Sequence, residues 1–129
     1  MASVVGVGVD LVELSRVEQS LARWGPRLIG KLMDPEEAAR LPAPGAEQAR
    51  ALAFAIVGKE AASKALGTGW SRGVRWRDVR VELGPAPSVR LAARAAEVAA
   101  QLGSDGRAVV ALEERGDLAL GRVALLSRA

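Results

Sequence analysis

The chain has 129 residues, half of them hydrophobic, so it predicts one compact domain spanning residues 1–129. It contains no cysteine and no histidine, which excludes disulfides, thiolate metal sites and every Ser-His or Cys-His nucleophilic arrangement. The net charge of +3 comes with 3% aromatic residues, and this composition argues against a nucleic-acid-binding protein.

The first predicted element is a buried strand over Val4–Glu13, rich in valine, in which Asp10 follows an apolar run. An acid at the end of such a strand either caps the next helix or serves a site. Ser15 and Glu18 have the spacing of a capping box, which predicts a short helix from Ser15 that ends at Gly25.

Three further helices are predicted before residue 70. Pro26 begins one helix, and the Asp34-Pro35 pair begins another that ends before Pro42. A long helix follows from about Ala46 to Leu66, and Gly67 ends it.

The second half of the chain mixes strands with one helix. The pattern predicts an extended segment near residues 76–83, a short strand through Val89 and Leu91, a helix over residues 92–102, and two strands over residues 108–112 and 118–126. The fold class is therefore α+β, with an antiparallel sheet packed on the long helix. We find no signal sequence and no apolar run of the roughly 20 residues that span a bilayer, so we expect a cytoplasmic protein that does not enter a membrane.

The long helix carries ionisable side chains in an alanine-rich context. Glu60 and Lys64 are four residues apart and lie on one face, so they either form a solvated ion pair or serve a site. Lys59 points about 100° away from Glu60 around the helix, so it either forms a salt bridge elsewhere or contacts a bound ligand.

The strand motif Gly-Val-Asp-Leu-Val-Glu and the helix motif Lys-Glu-Ala-x-x-Lys-Ala-x-Gly-Thr-Gly together resemble the holo-acyl-carrier-protein synthase family of 4′-phosphopantetheinyl transferases. The resemblance extends over nearly the whole chain. It implies Mg²⁺-dependent transfer of the phosphopantetheine arm from coenzyme A to a serine of an apo acyl carrier protein. It also implies a homotrimer whose sites lie between neighbouring subunits.

The resemblance also implies roles for individual residues. Asp10 and Glu60 match the metal-binding positions, and Glu60 or a metal-bound water accepts the serine proton. Lys64 matches a residue that contacts the phosphates. The residues that the family pattern places against coenzyme A are Lys59, Ser63, Lys64, Gly67, Thr68 and Gly69. The alternative for the Gly67-Thr68-Gly69 turn is that it only ends the helix. Glu13 is expected to be structural or to support a metal-binding residue. The basic residues that either receive the carrier protein or form a solvated face are Arg16, Arg23 and Arg27.

Two departures from the family's sequence pattern leave a second hypothesis open. The family usually has arginine where this chain has Ala55, and a Ser-x-Ser-His segment where it has Glu113 and Glu114. Arg50 or Arg115 is a candidate to compensate for the missing arginine and the added negative charge. The alternative to a working transferase is a catalytically degenerate relative that binds a carrier protein without transferring the arm.

Overall fold

The computed structural model describes residues 2–128 and has an α+β architecture. A single turn of 3₁₀ helix at Trp76–Asp78 precedes the second strand. The elements are, in chain order, β1 (Val4–Glu13), α1 (Leu14–Trp24), α2 (Pro26–Leu32), α3 (Pro35–Ala39), α4 (Ala46–Leu66), β2 (Val79–Glu82), β3 (Ser88–Leu91), α5 (Ala93–Gln101), β4 (Ala108–Arg115) and β5 (Leu118–Leu126).

Two antiparallel sheets are present in the described residues. The larger sheet has the order β1-β5-β4, and β2 and β3 form a two-stranded sheet. In the larger sheet, Asp10 of β1 lies opposite Gly121 of β5, which in turn lies opposite Leu112 of β4. Helix α4 packs across this sheet, which confirms the predicted antiparallel sheet on a long helix.

Glycines in the sheet allow the backbone of α4 to lie directly against it. A Cβ atom on Gly6 would lie 2.0 Å from the carbonyl oxygen of Ala65, and one on Gly8 would lie 1.8 Å from that of Ala61. A Cβ on Gly121 would lie 2.8 Å from the carbonyl oxygen of Val57. Strand β1 and helix α4 therefore run past each other in opposite directions with a fixed register.

Two apolar clusters form the core on either side of this contact. One joins α1, α2 and the first half of α4 and includes Val17, Leu32, Met33, Leu52 and Val57. The other joins the second half of α4 to α5, β2 and β5 and includes Leu66, Val74, Val79, Val98 and Leu125. Gly67 ends α4 in the left-handed conformation, with φ of 80°, as the sequence predicted.

The predicted capping box at the start of α1 is wrong. Helix α1 begins at Leu14, and its first polar groups hydrogen-bond to the turn between β4 and β5 instead. The amide of Ser15 donates to Asp117 Oδ1 at 3.1 Å, its hydroxyl donates to Oδ2 at 2.5 Å, and the amide of Leu14 donates to the carbonyl oxygen of Asp117 at 2.7 Å. A residue about a hundred positions away thus caps the helix, so local spacing gave no indication of it.

Strand β1 was predicted to be buried, but only one of its faces is. Side chains alternate between the two faces of a sheet, so every second residue of β1, β5 and β4 points away from α4. We call these residues the outer sheet face: Val7, Val9, Leu11, Leu120, Arg122, Ala124, Val109, Ala111 and Glu113. Its valines and Leu11 are between 53% and 63% exposed.

No helix within residues 2–128 is both long enough and apolar enough to cross a bilayer.

The contact between β1 and α4 predicts that Gly8→Ala is strongly destabilising. The added methyl would overlap the Ala61 carbonyl, and neither backbone can move without breaking the sheet or the helix. We expect the free energy of unfolding to fall by about 3 kcal/mol or more, measured by urea denaturation.

Gly30→Ala is the matched control, because Gly30 lies inside α2 and a Cβ there would meet nothing within 4 Å. This variant should be neutral or more stable by up to about 1 kcal/mol, from helix propensity alone. Equal effects of the two substitutions would contradict the proposed close contact.

Candidate active site

Asp10 and Lys64 meet where β1 crosses α4. The ammonium of Lys64 lies 3.0 Å from Asp10 Oδ1 and donates to the carbonyl oxygen of Val9 at 3.0 Å. The two side chains are 21% and 49% exposed, so the pair lies at the surface, within reach of a ligand. Lys64 therefore pairs with Asp10 and not with Glu60, the partner that helical spacing alone suggested.

Glu60 lies one helical turn before Lys64 on the same flank of α4. Because Gly8 lies against Ala61 and the sheet partner of Asp10 lies against Val57, Asp10 is level with the turn of α4 that contains Glu60. Glu60 is partly exposed and forms no ion pair with any residue of the described range 2–128. The strand and the helix thus bring two acids and one base to a common surface.

The donor set at this surface suits a hard divalent cation. Carboxylate oxygens are the protein ligands that Mg²⁺ prefers, and one or two of them commonly suffice when substrate phosphates and waters complete the coordination. Within residues 2–128, no three His, Cys, Asp or Glu side chains are placed so that together they could hold a metal ion. An ion held by Asp10 and Glu60 would therefore need further oxygen ligands from a substrate.

Lys59 forms a salt bridge inside the protein, the first of its two alternatives, and its contact with coenzyme A stays a prediction. Its side chain is completely buried, and its ammonium bonds to Glu37 Oε1 at 2.8 Å and to the carbonyl oxygens of Trp76 and Val79. Burial lowers the pKa of Lys59, and the hydrogen bond and charge of Glu37 oppose that shift. The 100° that separates Lys59 from Glu60 around α4 directs one side chain into the core and the other to the surface.

The Lys59–Glu37 pair joins four elements. The other oxygen of Glu37 accepts a hydrogen bond from the amide of Val81 in β2 at 3.0 Å, while Lys59 binds the 3₁₀ turn and the start of β2. Asp34 caps α3, which carries Glu37, by accepting from the amide of Glu37 at 2.8 Å. Sequence reasoning missed Glu37, because an acid in the first turn of α3 is already explained by the helix dipole.

Ser63 is also inside the protein. It is fully buried, and its hydroxyl donates to the carbonyl oxygen of Glu60 at 2.7 Å, one turn earlier in α4. The hydroxyl thus has a partner within α4, and the contact with coenzyme A that the resemblance implied stays a prediction.

The Gly67-Thr68-Gly69 turn uses its polar groups internally. The amide of Gly67 donates to the carbonyl oxygen of Lys64 at 3.0 Å, and that of Gly69 donates to the carbonyl oxygen of Ser63 at 3.1 Å. The hydroxyl of Thr68 donates to the carbonyl oxygen of Gly69. With these donors occupied, the turn acts as a helix stop, and the two glycine amides are not free to bind a phosphate.

The acids that replace the family's Ser-x-Ser-His segment both have basic partners. Glu114 forms an ion pair with Arg50, and it raises the pKa of that guanidinium through a hydrogen bond and its charge. Arg50 precedes Glu60 by ten residues, about 15 Å along the helix axis, so Glu114 lies far from Glu60 of its own chain. Glu113 lies on the outer sheet face, 3.7 Å from Arg115.

Ala55 is buried and lines a cavity of about 200 Å³ beside Met33, Glu37 and Arg40. Ala55 is about 200° around α4 from Val57, which contacts Gly121 of the sheet, so the cavity lies away from that contact.

Three basic residues are exposed on α1 and at the start of α2. Arg16 lies 4.0 Å from Glu13, the guanidinium of Arg23 lies 5.0 Å from the ring centre of Trp24, and Arg27 is exposed in α2. Arg16 and Arg23 are seven residues apart, so they share one face of α1.

A sequence profile described as the 4′-phosphopantetheinyl transferase superfamily matches residues 6–119, a range that includes Asp10, Glu60 and Lys64. The chain belongs to this superfamily.

Relatives that match most of this transferase-superfamily chain are named holo-acyl-carrier-protein synthases. The one from Acidithiobacillus ferrooxidans is 36% identical over 124 residues, which is 95% of this chain and 96% of the relative. The crystal structure of the Neisseria meningitidis holo-acyl-carrier-protein synthase matches with a TM-score of 0.82 at 25% identity, over 95% of this chain and 98% of that one. The Helicobacter pylori synthase, solved in complex with coenzyme A, shares the fold with a TM-score of 0.75 at 21% identity, over 92% and 98% of the two chains.

The buried pair predicts that Lys59→Met is destabilising in a way that Lys64→Met is not. Removing the ammonium leaves Glu37 buried without its counter-charge, a change that typically costs about 3–5 kcal/mol. Lys64 is half exposed, so its loss should change the free energy of unfolding by less than about 1 kcal/mol. Urea denaturation of both variants measures the difference.

The double variant Lys59→Met/Glu37→Gln should recover part of the lost stability, because it leaves no unpaired charge. If Lys59→Met folds as stably as the wild type and loses only coenzyme A binding, the structural role of Lys59 is wrong.

The lowered pKa of Asp34 predicts that the fold loses part of its stability in acid. The amide of Glu37 lowers the pKa of Asp34 below 3.8, with the charge of Arg80 assisting and burial opposing. Between the lowered pKa and 3.8, the unfolded chain therefore binds more protons at Asp34 than the folded chain does. Ionised Asp34 stabilises the fold above pH 3.8, and this stabilisation is lost as the pH falls through the lowered pKa.

Asp34→Asn keeps a side chain that can cap α3 but removes the titrating group. We expect the urea midpoint of this variant to fall less than that of the wild type between pH 5 and pH 3. Parallel midpoints across that range would show that Asp34 has the same pKa in the folded and unfolded states.

Proposed function

We propose that this chain transfers the 4′-phosphopantetheine arm of coenzyme A to a serine of an apo acyl carrier protein. The observation that carries the proposal is the meeting of Asp10, on β1, with the flank of α4 that presents Glu60 and Lys64. The named relatives are holo-acyl-carrier-protein synthases over nearly their full length, and this supports the same substrate pair. The proposed transferase domain comprises residues 1–129, and its proposed location is the cytoplasm.

In this proposal Asp10 and Glu60 hold Mg²⁺. The two carboxylates fit the ion chemically and, as noted above, leave coordination positions for the pyrophosphate of coenzyme A. Bound there, the ion would neutralise phosphate charge.

The chain's own side chains stabilise the charge that develops during the transfer and accept the serine proton. The serine oxygen forms a bond to the β-phosphorus of coenzyme A, and the bond from that phosphorus to the bridging oxygen breaks, releasing adenosine 3′,5′-bisphosphate. Lys64 is held at the surface by Asp10 and the Val9 carbonyl, so its ammonium is in place to offset charge that develops on the leaving phosphate. Glu60, unpaired and partly exposed, is suited to accept the serine proton.

The exposed basic face of α1 is the proposed surface for the carrier protein. Arg16 and Arg23 lie on one side of this helix, with Arg27 following in α2, and an acidic partner would complement them. Because Asp117 binds the start of α1, the position of this surface is tied to the sheet that carries Asp10.

A homotrimer is part of the proposal. The outer sheet face exposes Val7, Val9, Leu11 and Val109 side by side, and a patch of this kind on a small protein is typical of an interface. Each site would then lie near a neighbouring subunit, whose side chains supply contacts to coenzyme A that Ala55 of one chain does not make.

The test is arm transfer to a bacterial apo carrier protein, followed by intact-protein mass spectrometry with coenzyme A and Mg²⁺. The wild type should add the arm and release adenosine 3′,5′-bisphosphate. Asp10→Asn and Glu60→Gln should each reduce the rate by about a hundredfold or more, because each removes a charge that stabilises the transition state.

Glu47→Gln is the matched control: Glu47 is an exposed acid in the first turn of the same helix, and its loss should leave the rate within about twofold. A folded wild-type protein that modifies no apo carrier protein, or an Asp10→Asn variant as active as Glu47→Gln, would refute the proposed activity.

A further inference from the structure

Arg122 is an isolated charge in the middle of an apolar surface. On the central strand of the outer sheet face it lies directly opposite Val9 on one side and Ala111 on the other. It is exposed, and within residues 2–128 it forms no ion pair. Any partner that covers this face removes the guanidinium from water.

A desolvated guanidinium requires an acid from the covering partner. An unpaired charge is among the most unfavourable groups to bury, whereas a paired and hydrogen-bonded one is tolerated. The apolar residues around Arg122 cannot supply that acid, since they are valine, leucine and alanine.

The same face carries one suitable acid, Glu113. It lies two residues beyond Ala111 on the edge strand β4, diagonal to Arg122, yet the two side chains form no ion pair within the described part of one chain. The ion partner of Glu113 is Arg115, which is 3.7 Å away and 77% exposed, so that contact is weak and easily exchanged. The outer sheet face thus holds a cation at its centre and an available anion at its edge.

We propose that Arg122 of one copy of this chain pairs with Glu113 of the next when their outer sheet faces meet. A second copy is the occupant because it brings both the apolar surface and the charge that Arg122 lacks. Repeated around a threefold axis, as in the proposed homotrimer, a contact from the centre of one face to the edge of the next closes into a ring. The inference rests on the proposed homotrimer and assigns the ion pair that fixes its register.

The experiment is sedimentation equilibrium of the full chain, combined with native mass spectrometry. The wild type should be oligomeric. Arg122→Glu and Glu113→Arg should each weaken association by about a hundredfold or more, because each places like charges together in an apolar contact. The double variant Arg122→Glu/Glu113→Arg should associate again.

Mixing separates a pair between copies from a pair within one chain. When the wild type and the double variant Arg122→Glu/Glu113→Arg are refolded together, each should assemble only with copies of itself, because every contact between unlike copies sets two like charges together. A pair within one chain predicts free mixing, since each copy then carries its own complementary charges.

Arg40→Glu is the matched control, since it reverses an exposed arginine at the end of α3, away from the sheet, and should leave the assembly unchanged. A monomeric wild type, or single reversals that assemble like Arg40→Glu, overturns the proposal. Arm transfer is measured separately: an active monomer refutes the interface alone, and an oligomer without activity refutes the transferase function alone.

Discussion

The structure depends on the direct contact between the backbone of α4 and the glycines of the three-stranded sheet. Gly6, Gly8 and Gly121 leave no side chain between sheet and helix, so carbonyl oxygens of α4 lie where Cβ atoms would otherwise be. This contact sets the register between strand and helix to within a residue. The position of Asp10 relative to Glu60 and Lys64 follows from it.

The two lysines on either side of Glu60 show how one helix serves two purposes. Lys64 points to the surface and holds Asp10, while Lys59, five residues earlier, is sealed in the core against Glu37. The inner lysine fixes α3, the 3₁₀ turn and β2 to α4, the helix that carries Lys64. In the proposed transferase the outer pair needs a rigid α4, because catalytic charges act through fixed positions.

Charge pairing also explains how the chain accommodates acids where its family usually has serine and histidine. Glu114 is neutralised by Arg50 in the same chain, one of the two compensating arginines suggested by the sequence. Glu113 instead lies on the outer sheet face, where it serves the proposed contact between copies. The two adjacent acids therefore face opposite sides of the sheet, as strand alternation requires.

The sequence by itself determined the element order, the α+β class, the end of α4 at Gly67, and the two motifs that indicated the family. These features are local: each depends on periodicity, on a turn residue or on residues within one element. The sequence also indicated Asp10, Glu60 and Lys64, but it could not show which of the acids Lys64 binds.

Only the tertiary structure decided that Lys59 and Ser63 are buried, that Asp117 caps α1, and that one face of β1 is exposed. Each of these outcomes depends on how elements far apart in the sequence pack together, as α3 with Glu37 packs against Lys59, and helical or strand spacing carries no information about that packing. Burial is a property of the packed elements together, which is why adjacent residues on one helix have opposite roles.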